Sequence, residues 1–174
     1  LMAYSATDVE KSNYIKQSLY YLVLHEVGHT FGLNHNMKAS QLHSPANINN
    51  TTLTKQIGLT GSVMDYPAAN IALDRTKQGQ YFTTKPGPYD LWAIEFGYST
   101  SAVNEKEEAD RLLKIAARSS DPQLTFGNDA DDMRAAGKGI DPRVMINDLT
   151  SDAISYSIDR MKLSNNLMKK LKSN

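Results

Sequence analysis

Residues 25–35 read His-Glu-Val-Gly-His-Thr-Phe-Gly-Leu-Asn-His, and the interpretation of the whole chain starts from this segment. His25 and His29 are four residues apart, so on a helix their imidazoles lie on one face, one turn apart. Both can then reach one tetrahedral Zn²⁺ at about 2.0–2.1 Å. Glu26 occupies the next position round the helix, where a carboxylate can reach a zinc-bound water without binding the metal. The spacing therefore predicts a catalytic zinc site.

Gly32 and His35 extend the motif beyond the helix. Glycine is favoured where a helix ends, because the left-handed conformation carries no Cβ penalty there, and the reversal can bring His35 back as a third ligand. At ordinary residue frequencies the full pattern arises by chance on the order of once in 10⁷ positions. The alternative, in which His25 and His29 are core histidines on an apolar helix, is therefore the weaker interpretation.

Several further segments are similar to one family of proteins. The zinc motif with a methionine turn downstream is the pattern of the metzincin peptidases, and the chain resembles in particular the bacterial Met-zincin family of secreted zinc metalloproteases. The similar segments are His35–Ser40, with Asn-x-x-Ala-Ser after the third histidine, then Ser62–Tyr66, Gly87–Tyr98 and Asp141–Val144. The resemblance spans most of the chain, but only the zinc motif and the Ser62–Tyr66 turn are specific enough to carry chemistry.

The resemblance implies roles for two residues of that turn. In metzincins the methionine, here Met64, lies beneath the metal as an apolar floor, since a thioether is a soft and weak donor for Zn²⁺. An ordinary core methionine is the alternative. Tyr66 stands two residues later, where astacin-like and serralysin-like enzymes carry a tyrosine that approaches the zinc and stabilises the tetrahedral intermediate. The competing interpretation is a tyrosine that packs against the cleft wall.

The resemblance also implies a part of the enzyme that these residues do not supply. Metzincins place a twisted β-sheet subdomain before the zinc helix, and its edge strand binds the substrate peptide by strand addition. Only 24 residues precede His25. We therefore expect this chain to be the C-terminal part of a peptidase domain, with the upstream β-sheet subdomain of the parent protein as its partner. A secreted, periplasmic or cell-surface location is implied on the same grounds.

The predicted fold is mainly α with long irregular loops. Residues 1–174 are expected to form the C-terminal part of a metzincin-like catalytic domain without its β-sheet subdomain. Within it, residues 1–35 supply the zinc helix and the third ligand, and residues 36–88 form a loop that contains the methionine turn. Residues 89–174 form a helical C-terminal region. A four- or five-stranded sheet built from these residues would contradict this prediction.

Helix boundaries follow from capping residues and apolar spacing. Thr7 and Glu10 have the pattern of a capping box that opens the zinc helix, which is expected to run to about Phe31. Its apolar residues occupy two adjoining faces, which predicts burial over a wide arc; they include Ile15, Leu19, Tyr20, Leu22, Val23, Val27 and Phe31. Further helices are predicted for residues 89–96, between Pro88 and Gly97, for 104–118 and for 151–171. The last carries apolar residues at helical spacing, namely Ile154, Ile158, Met161, Met168 and Leu171.

Composition argues against several classes of function. Nineteen basic residues balance nineteen acidic ones, and no basic strip interleaved with aromatic residues occurs, so no nucleic-acid partner is expected. Apolar runs such as Leu22–Leu24 are far too short to cross a bilayer, so no transmembrane segment is expected in this chain. The absence of cysteine excludes disulfides and thiolate ligands, which leaves imidazole and carboxylate for binding a metal.

The predicted reaction is hydrolysis of a peptide bond in a peptide or protein substrate. Zn²⁺ held by three imidazoles keeps a fourth position for water and lowers the pKa of that water toward about 7. Glu26 then acts as the general base and returns the proton to the departing amine. The isolated fragment need not be active, because the sheet forms part of the active site. The alternative function is a non-catalytic zinc-binding module, used for binding or as a scaffold.

Two other polar features are weaker candidates for metal binding. His43, the fourth histidine, lies in an Asn/Ser-rich loop and is expected to be solvated; the alternative is a second metal ligand. A cluster of Asn128, Asp129, Asp131 and Asp132 suggests calcium, but it lacks the alternating ligands and trailing glutamate of an EF-hand loop. A helix start or an exposed turn is the preferred interpretation of this cluster.

Overall fold

The structure, a computed structural model, describes residues 6–132 and 141–172. Five α-helices joined by long irregular segments occur in these residues: α1 (Asp8–Thr30), α2 (Thr51–Ile57), α3 (Pro88–Tyr98), α4 (Glu105–Ala116) and α5 (Ala153–Lys172). Short 3-10 helices occupy Ala39–Leu42, Arg75–Lys77, Ala117–Ser120 and Pro122–Leu124. The described residues form no strand, so the predicted mainly α fold with long loops is confirmed. None of their helices is long and apolar enough to span a bilayer.

Helix α1 begins and ends as its sequence predicts. The Thr7 hydroxyl accepts a hydrogen bond from the backbone N–H of Glu10 at 3.2 Å, and the Glu10 carboxylate accepts one from the backbone N–H of Thr7 at 2.7 Å. This is the reciprocal capping box. At the other end, Gly32 has φ +76°, and the next backbone N–H, that of Leu33, donates to the Gly28 carbonyl at 3.2 Å. The left-handed glycine therefore turns the chain back at the end of the helix.

One side of α1 packs against an irregular segment around residues 81–82. Tyr14 meets the rings of Tyr81 and Phe82 edge-on, at centroid distances of 5.5 and 5.2 Å, and Tyr21 stacks on Phe82 at 5.8 Å. The Gln17 side-chain oxygen accepts hydrogen bonds from the backbone N–H groups of Tyr81 and Phe82, at 2.7 and 3.2 Å. A helix side chain thus supplies the partners that a neighbouring strand would otherwise supply.

The opposite side of α1 is exposed, so the prediction that this helix is buried over a wide arc is wrong. Large apolar side chains that are 43–70% exposed form what we call the outer face of α1: Val9, Ile15, Leu19, Tyr20, Leu22, Val23, Val27 and Phe31. Apolar spacing identifies a face that favours burial, but it does not identify what covers that face. The ring contacts described above lie on the other side of the helix, and on the outer face the Phe31 ring meets that of Tyr98 edge-on at a centroid distance of 5.6 Å.

The apolar spacing that predicted α5 also lies on an exposed side of its helix. The residues concerned are 40–76% exposed: Ile154, Ile158, Met161, Met168 and Leu171. α5 packs through Tyr156, which joins Ile48, Leu59 and Leu149 in a buried apolar cluster, and through the buried Leu163. The core of the described residues therefore lies between α5 and the irregular segments, and the helix was predicted correctly but its inner face was not.

The sequence does not predict α2, and α3 runs past its predicted end. α2 begins after Asn50, whose side chain caps the first turn, and ends at Gly58, which has φ +101°. Those two caps were the available signal, since a seven-residue helix with Thr54 as its one buried residue shows no apolar period. α3 continues through Gly97 to Tyr98 because this glycine keeps a negative φ.

Two carboxyl groups interact at the edge of the core, those of the fully buried Asp65 and the half-buried Asp148. Asp65 is fully buried, and burial raises the pKa of its carboxyl group well above the usual range, with the charge of Asp148 adding to the shift. Asp148 accepts a hydrogen bond from the Ser40 hydroxyl at 3.1 Å. Burial raises the pKa of Asp148 to about 6. The folded chain therefore binds protons at this pair more tightly than the unfolded chain does.

Asp148→Asn should stabilise the metal-free chain more at pH 8 than at pH 4. The folded pKa of Asp148, about 6, exceeds the unfolded value of about 3.9, so its stabilising contribution is complete below about pH 4 and is lost as the pH rises through about 6. Asparagine keeps an acceptor for Ser40 without the charge, so the variant should gain up to about 3 kcal/mol relative to wild type over this range. Chemical unfolding with a chelator present measures the difference, with the exposed Asp110→Asn as control. An equal difference at both pH values would contradict the assignment.

Gly32→Ala and Gly97→Ala form a matched pair that tests the backbone at two helix ends. A Cβ atom added at either position meets nothing within 4 Å, so the two sites differ mainly in φ. Gly32→Ala should lower the free energy of unfolding by about 1–2 kcal/mol, because its φ of +76° is left-handed. Gly97→Ala should raise it by about 0.5–1 kcal/mol. Urea unfolding curves measure both values; changes of the same sign would show that φ does not decide the outcome.

Candidate metal centre

Three histidine side chains converge at the C-terminal end of α1. His25 and His29 lie one turn apart on this helix, and the reversal at Gly32 returns His35 to the same place. One ring nitrogen from each histidine lies within 4.8 Å of the other two. Within residues 6–132 and 141–172, no other group of three histidine, aspartate or glutamate side chains has such geometry. The structure thus brings together the three residues that the sequence predicts as metal ligands.

Each of these imidazoles has its Nδ1 atom next to an oxygen that can only accept a hydrogen bond. His25 Nδ1 lies 2.8 Å from the Val63 carbonyl oxygen, and His29 Nδ1 lies 3.1 Å from that of Leu33. His35 Nδ1 lies 2.9 Å from a carboxylate oxygen of Asp129. Because carbonyl and carboxylate oxygens carry no hydrogen, each Nδ1 must donate, and in the neutral ring Nε2 then holds a lone pair. This is the tautomer that a metal ligand requires.

The Nε2 atom of His25 provides the test of whether a metal fits. It is buried and has no hydrogen-bond partner among the residues that the structure describes. A buried acceptor without a partner is unfavourable, and a metal ion would bind it. Burial also lowers the pKa of His25, which favours the neutral imidazole that metals bind. The donor set and this unpartnered atom therefore fit a zinc ion.

Val63 is held in place for His25 by a buried carboxylate. Asp90 lies in the first turn of α3 and is 3% exposed. It accepts hydrogen bonds from the Ser62 hydroxyl at 2.5 Å and from the backbone N–H groups of Val63 and Gly87, each at 2.8 Å. Burial raises the pKa of Asp90, and these three hydrogen bonds oppose the shift. Sequence reasoning missed Asp90, although an acidic residue at the third position of a helix was a signal of capping.

Met64 packs directly against the backbone of α1. Its side chain is fully buried, and its sulfur lies so close to Gly28 that a Cβ atom at that glycine would be 2.3 Å from it. Gly28 stands between the two helical histidines in sequence, so the methionine lies against the part of α1 that carries these two residues. The close contact explains why a glycine occurs inside the motif, a residue that sequence reasoning did not single out.

Tyr66 lies against two of the three histidines, His25 and His35. Its hydroxyl is 2.8 Å from His35 Nε2, and its ring centroid is 4.8 Å from that of His25 and 4.7 Å from that of His35. Burial raises the pKa of Tyr66, and the negative charges of Asp129 and Glu26 add to the shift. The phenol is therefore protonated at neutral pH and can donate a hydrogen bond. Glu26 itself is exposed on α1.

The acidic cluster after Gly127 forms a turn, as its preferred interpretation predicted, with Asp129 and Asp131 exposed but Asp132 buried. The Asn128 side-chain oxygen accepts a hydrogen bond from Ala130 N–H at 2.9 Å, and Asn128 N–H donates to the Asp131 carboxylate at 3.1 Å. Sequence reasoning missed the contact of Asp129 with His35, which crosses 94 residues of sequence. No local pattern signals a contact of that range.

His43 is buried rather than solvated, so its predicted exposure is wrong. It is 3% exposed, and its Nε2 atom lies 2.8 Å from the carbonyl oxygen of Gly58. Burial lowers the pKa of His43, which favours the neutral ring. The loop around it folds inward, since Ser151 N–H also donates to the His43 carbonyl at 2.8 Å. This histidine lies in the core and outside the group of three.

Comparison with known proteins agrees with this geometry. A family model described as Met-zincin matches residues 7–174, a range that contains all three histidines and the Ser62–Tyr66 turn. Comparisons with curated proteins and with solved structures gave no match. The family match covers far more than half of the sequence. The chain therefore belongs to the Met-zincin family.

Proposed function

We propose that this chain carries the catalytic centre of a zinc-dependent endopeptidase. The proposal rests on one observation, the group of three imidazoles whose Nδ1 atoms are bound to oxygens and whose Nε2 atoms are left to bind a metal. Membership of the Met-zincin family supports a protease-like function. The position of Glu26 between two of the proposed ligands supports catalysis over a purely structural role.

His25, His29 and His35 would hold the zinc through their Nε2 atoms. Zinc, when bound, supplies a Lewis acid that polarises a carbonyl group and lowers the pKa of water. Structural zinc sites usually close the fourth position with another protein ligand, whereas catalytic sites leave it open. The described residues offer three ligands in this group, which favours the catalytic type.

Glu26 is the proposed general base. Its side chain is exposed beside His25, so both water and a peptide can reach it. It would accept the proton of the attacking water and then donate that proton to the amine nitrogen as the peptide bond breaks. No covalent bond between enzyme and substrate is needed in this scheme.

Tyr66 is the proposed hydrogen-bond donor to the substrate carbonyl oxygen. In the structure its hydroxyl donates to His35 Nε2. The proposed metal would bind this nitrogen in place of the hydroxyl. A modest rotation of the side chain, which is 39% exposed, would redirect the O–H group toward the substrate. Negative charge develops on the carbonyl oxygen during attack, and a donor aimed at that charge stabilises the transition state.

The outer face of α1 is the proposed docking surface for a β-sheet subdomain. Apolar faces of this length on soluble proteins mark contact with another protein surface. A sheet placed there would bring an edge strand close to the zinc ligands, where it could bind an extended peptide substrate. The assignment of residues 1–174 to the C-terminal part of a metzincin-like catalytic domain depends on this docking. A secreted, periplasmic or cell-surface location stays a prediction from the resemblance.

Glu26→Gln should abolish peptide cleavage while zinc binding is retained. Glutamine has nearly the same shape but cannot accept the proton, so kcat should fall by about 10²–10⁴-fold. Turnover is measured with a quenched-peptide library on the longest form of the protein that carries this chain, and zinc content by elemental analysis. The exposed Glu107→Gln on α4 is the matched control. Unchanged turnover would remove Glu26 from the role, and absence of chelator-sensitive cleavage in the wild type would favour the non-catalytic zinc module.

Tyr66→Phe should lower kcat by about 10²–10³-fold, since it removes one donor from the developing negative charge. Zinc affinity should change little, because the phenol is not one of the three proposed ligands. Tyr98→Phe is the control: it also removes a phenol, one that donates to the Phe31 carbonyl at 3.0 Å and to none of the three histidines. A tyrosine that merely packs against the cleft would leave kcat unchanged in both variants.

A further inference from the structure

The three proposed zinc ligands are oriented by different kinds of oxygen. His25 and His29 donate to backbone carbonyl oxygens, those of Val63 and Leu33. His35 lies on the irregular segment beyond Gly32 and donates instead to the Asp129 carboxylate at 2.9 Å. It is thus the one member of the group whose Nδ1 atom donates directly to a side chain.

We propose that Asp129 is a positioning residue that orients His35 and holds it in the tautomer that binds the metal. The inference rests on the proposed zinc site and adds to it a residue from a distant segment. A carboxylate that accepts from Nδ1–H keeps the hydrogen on that nitrogen and leaves the Nε2 lone pair for the metal. It also increases the electron density that the imidazole offers to a cation.

The segment that carries Asp129 is anchored to the residue next to His35. Asn36 is fully buried; its side-chain NH₂ group donates to the Thr125 carbonyl at 2.9 Å, and its oxygen accepts from Gly127 N–H at 3.1 Å. The backbone adds a hydrogen bond from Met37 N–H to the Gly127 carbonyl at 2.8 Å. Because Asn36 follows His35 directly, these three hydrogen bonds, which we call the Asn36 clamp, fix the segment of Asp129 relative to His35.

The hydrogen bonds that close the turn do not involve the Asp129 carboxylate, which can therefore accept from His35. Asn128 and Asp131 close the turn between them, because Asp131 N–H donates to the Asn128 carbonyl at 3.0 Å and Asn128 N–H donates to the Asp131 carboxylate at 3.1 Å. The two acidic residues therefore have separate roles. Asp131 maintains the turn, and Asp129 projects from it to His35.

Folding stability does not explain the contact. The Asp129 side chain is 64% exposed, and exposed ion pairs contribute little to stability because water and salt screen them. Removal of this carboxylate should therefore leave the unfolding of the metal-free chain nearly unchanged. Its loss should instead weaken zinc binding, because His35 must offer its Nε2 lone pair to the metal. The two effects can be measured separately.

The test compares Asp129→Asn with Asp131→Asn, which remove the same charge from the same turn. Asparagine at position 129 lacks the negative charge that raises the basicity of the imidazole, and it can present either its oxygen or its NH₂ group to Nδ1, so the hydrogen is no longer held on that nitrogen. The Kd for zinc should therefore rise by about 10–100-fold. Asparagine at position 131 keeps an acceptor for Asn128 N–H, so its Kd should stay within about threefold of wild type. Zinc affinity is measured by competition with a chromogenic chelator, and Co²⁺ absorption spectra report the ligand geometry. Asp129→Glu restores a carboxylate and should recover part of the affinity.

A Kd for Asp129→Asn within threefold of wild type would overturn the inference, as would an equal loss in Asp131→Asn, which would show an effect of net charge alone. A large fall in the thermal midpoint of metal-free Asp129→Asn would assign the residue to folding and overturn it as well. Zinc affinity is independent of turnover. A wild-type chain that binds zinc but cleaves no peptide would therefore overturn the peptidase proposal alone, whereas one that binds no zinc would overturn both.

Discussion

Each of the three imidazoles donates its Nδ1 hydrogen to an oxygen that the fold holds in place, and the chemistry of the site depends on these hydrogen bonds. A neutral histidine is an acceptor at one nitrogen only if it donates at the other. The three oxygens have separate supports: the reversal after α1 presents Leu33, the buried Asp90 fixes Val63, and the Asn36 clamp positions Asp129. The three proposed ligands come from eleven consecutive residues, and two of them are oriented by residues 38 and 94 positions away.

Irregular segments pack around α1, and buried or half-buried polar side chains supply the hydrogen-bond partners that their backbone groups would find in a helix or a sheet. Gln17, Asn36 and Asp90 each bind backbone groups of a segment that has no helix or strand to satisfy them. Every buried N–H and C=O group needs a partner, so a loop-rich core depends on such residues. The close contact of Gly28 with Met64 completes the arrangement, because it brings the backbone of α1 onto the turn that Asp90 holds.

The parts of this structure that could be predicted from sequence are those whose cause is local. The capping box at Thr7, the left-handed Gly32 and the i, i+4 spacing of the histidines act within a few residues, and the structure agrees with each. The contacts of Asp90 and Asp129 were not predicted, since they join residues 27 and 94 positions apart. Apolar periodicity located α1 and α5 but did not reveal which side would be covered, because that depends on which surfaces meet. The short helix α2 was missed since its stability comes from its caps rather than from an apolar face.

Glu26 shares one side of α1 with part of the outer face, since residues three and four apart are neighbours on a helix surface and Leu22 and Val23 precede it by those intervals. Both neighbours are more than half exposed. Any surface that packs against Leu22 and Val23 must also displace solvent from around the Glu26 carboxylate. The hydration of the proposed base therefore depends both on this chain and on the surface that packs against the outer face of α1.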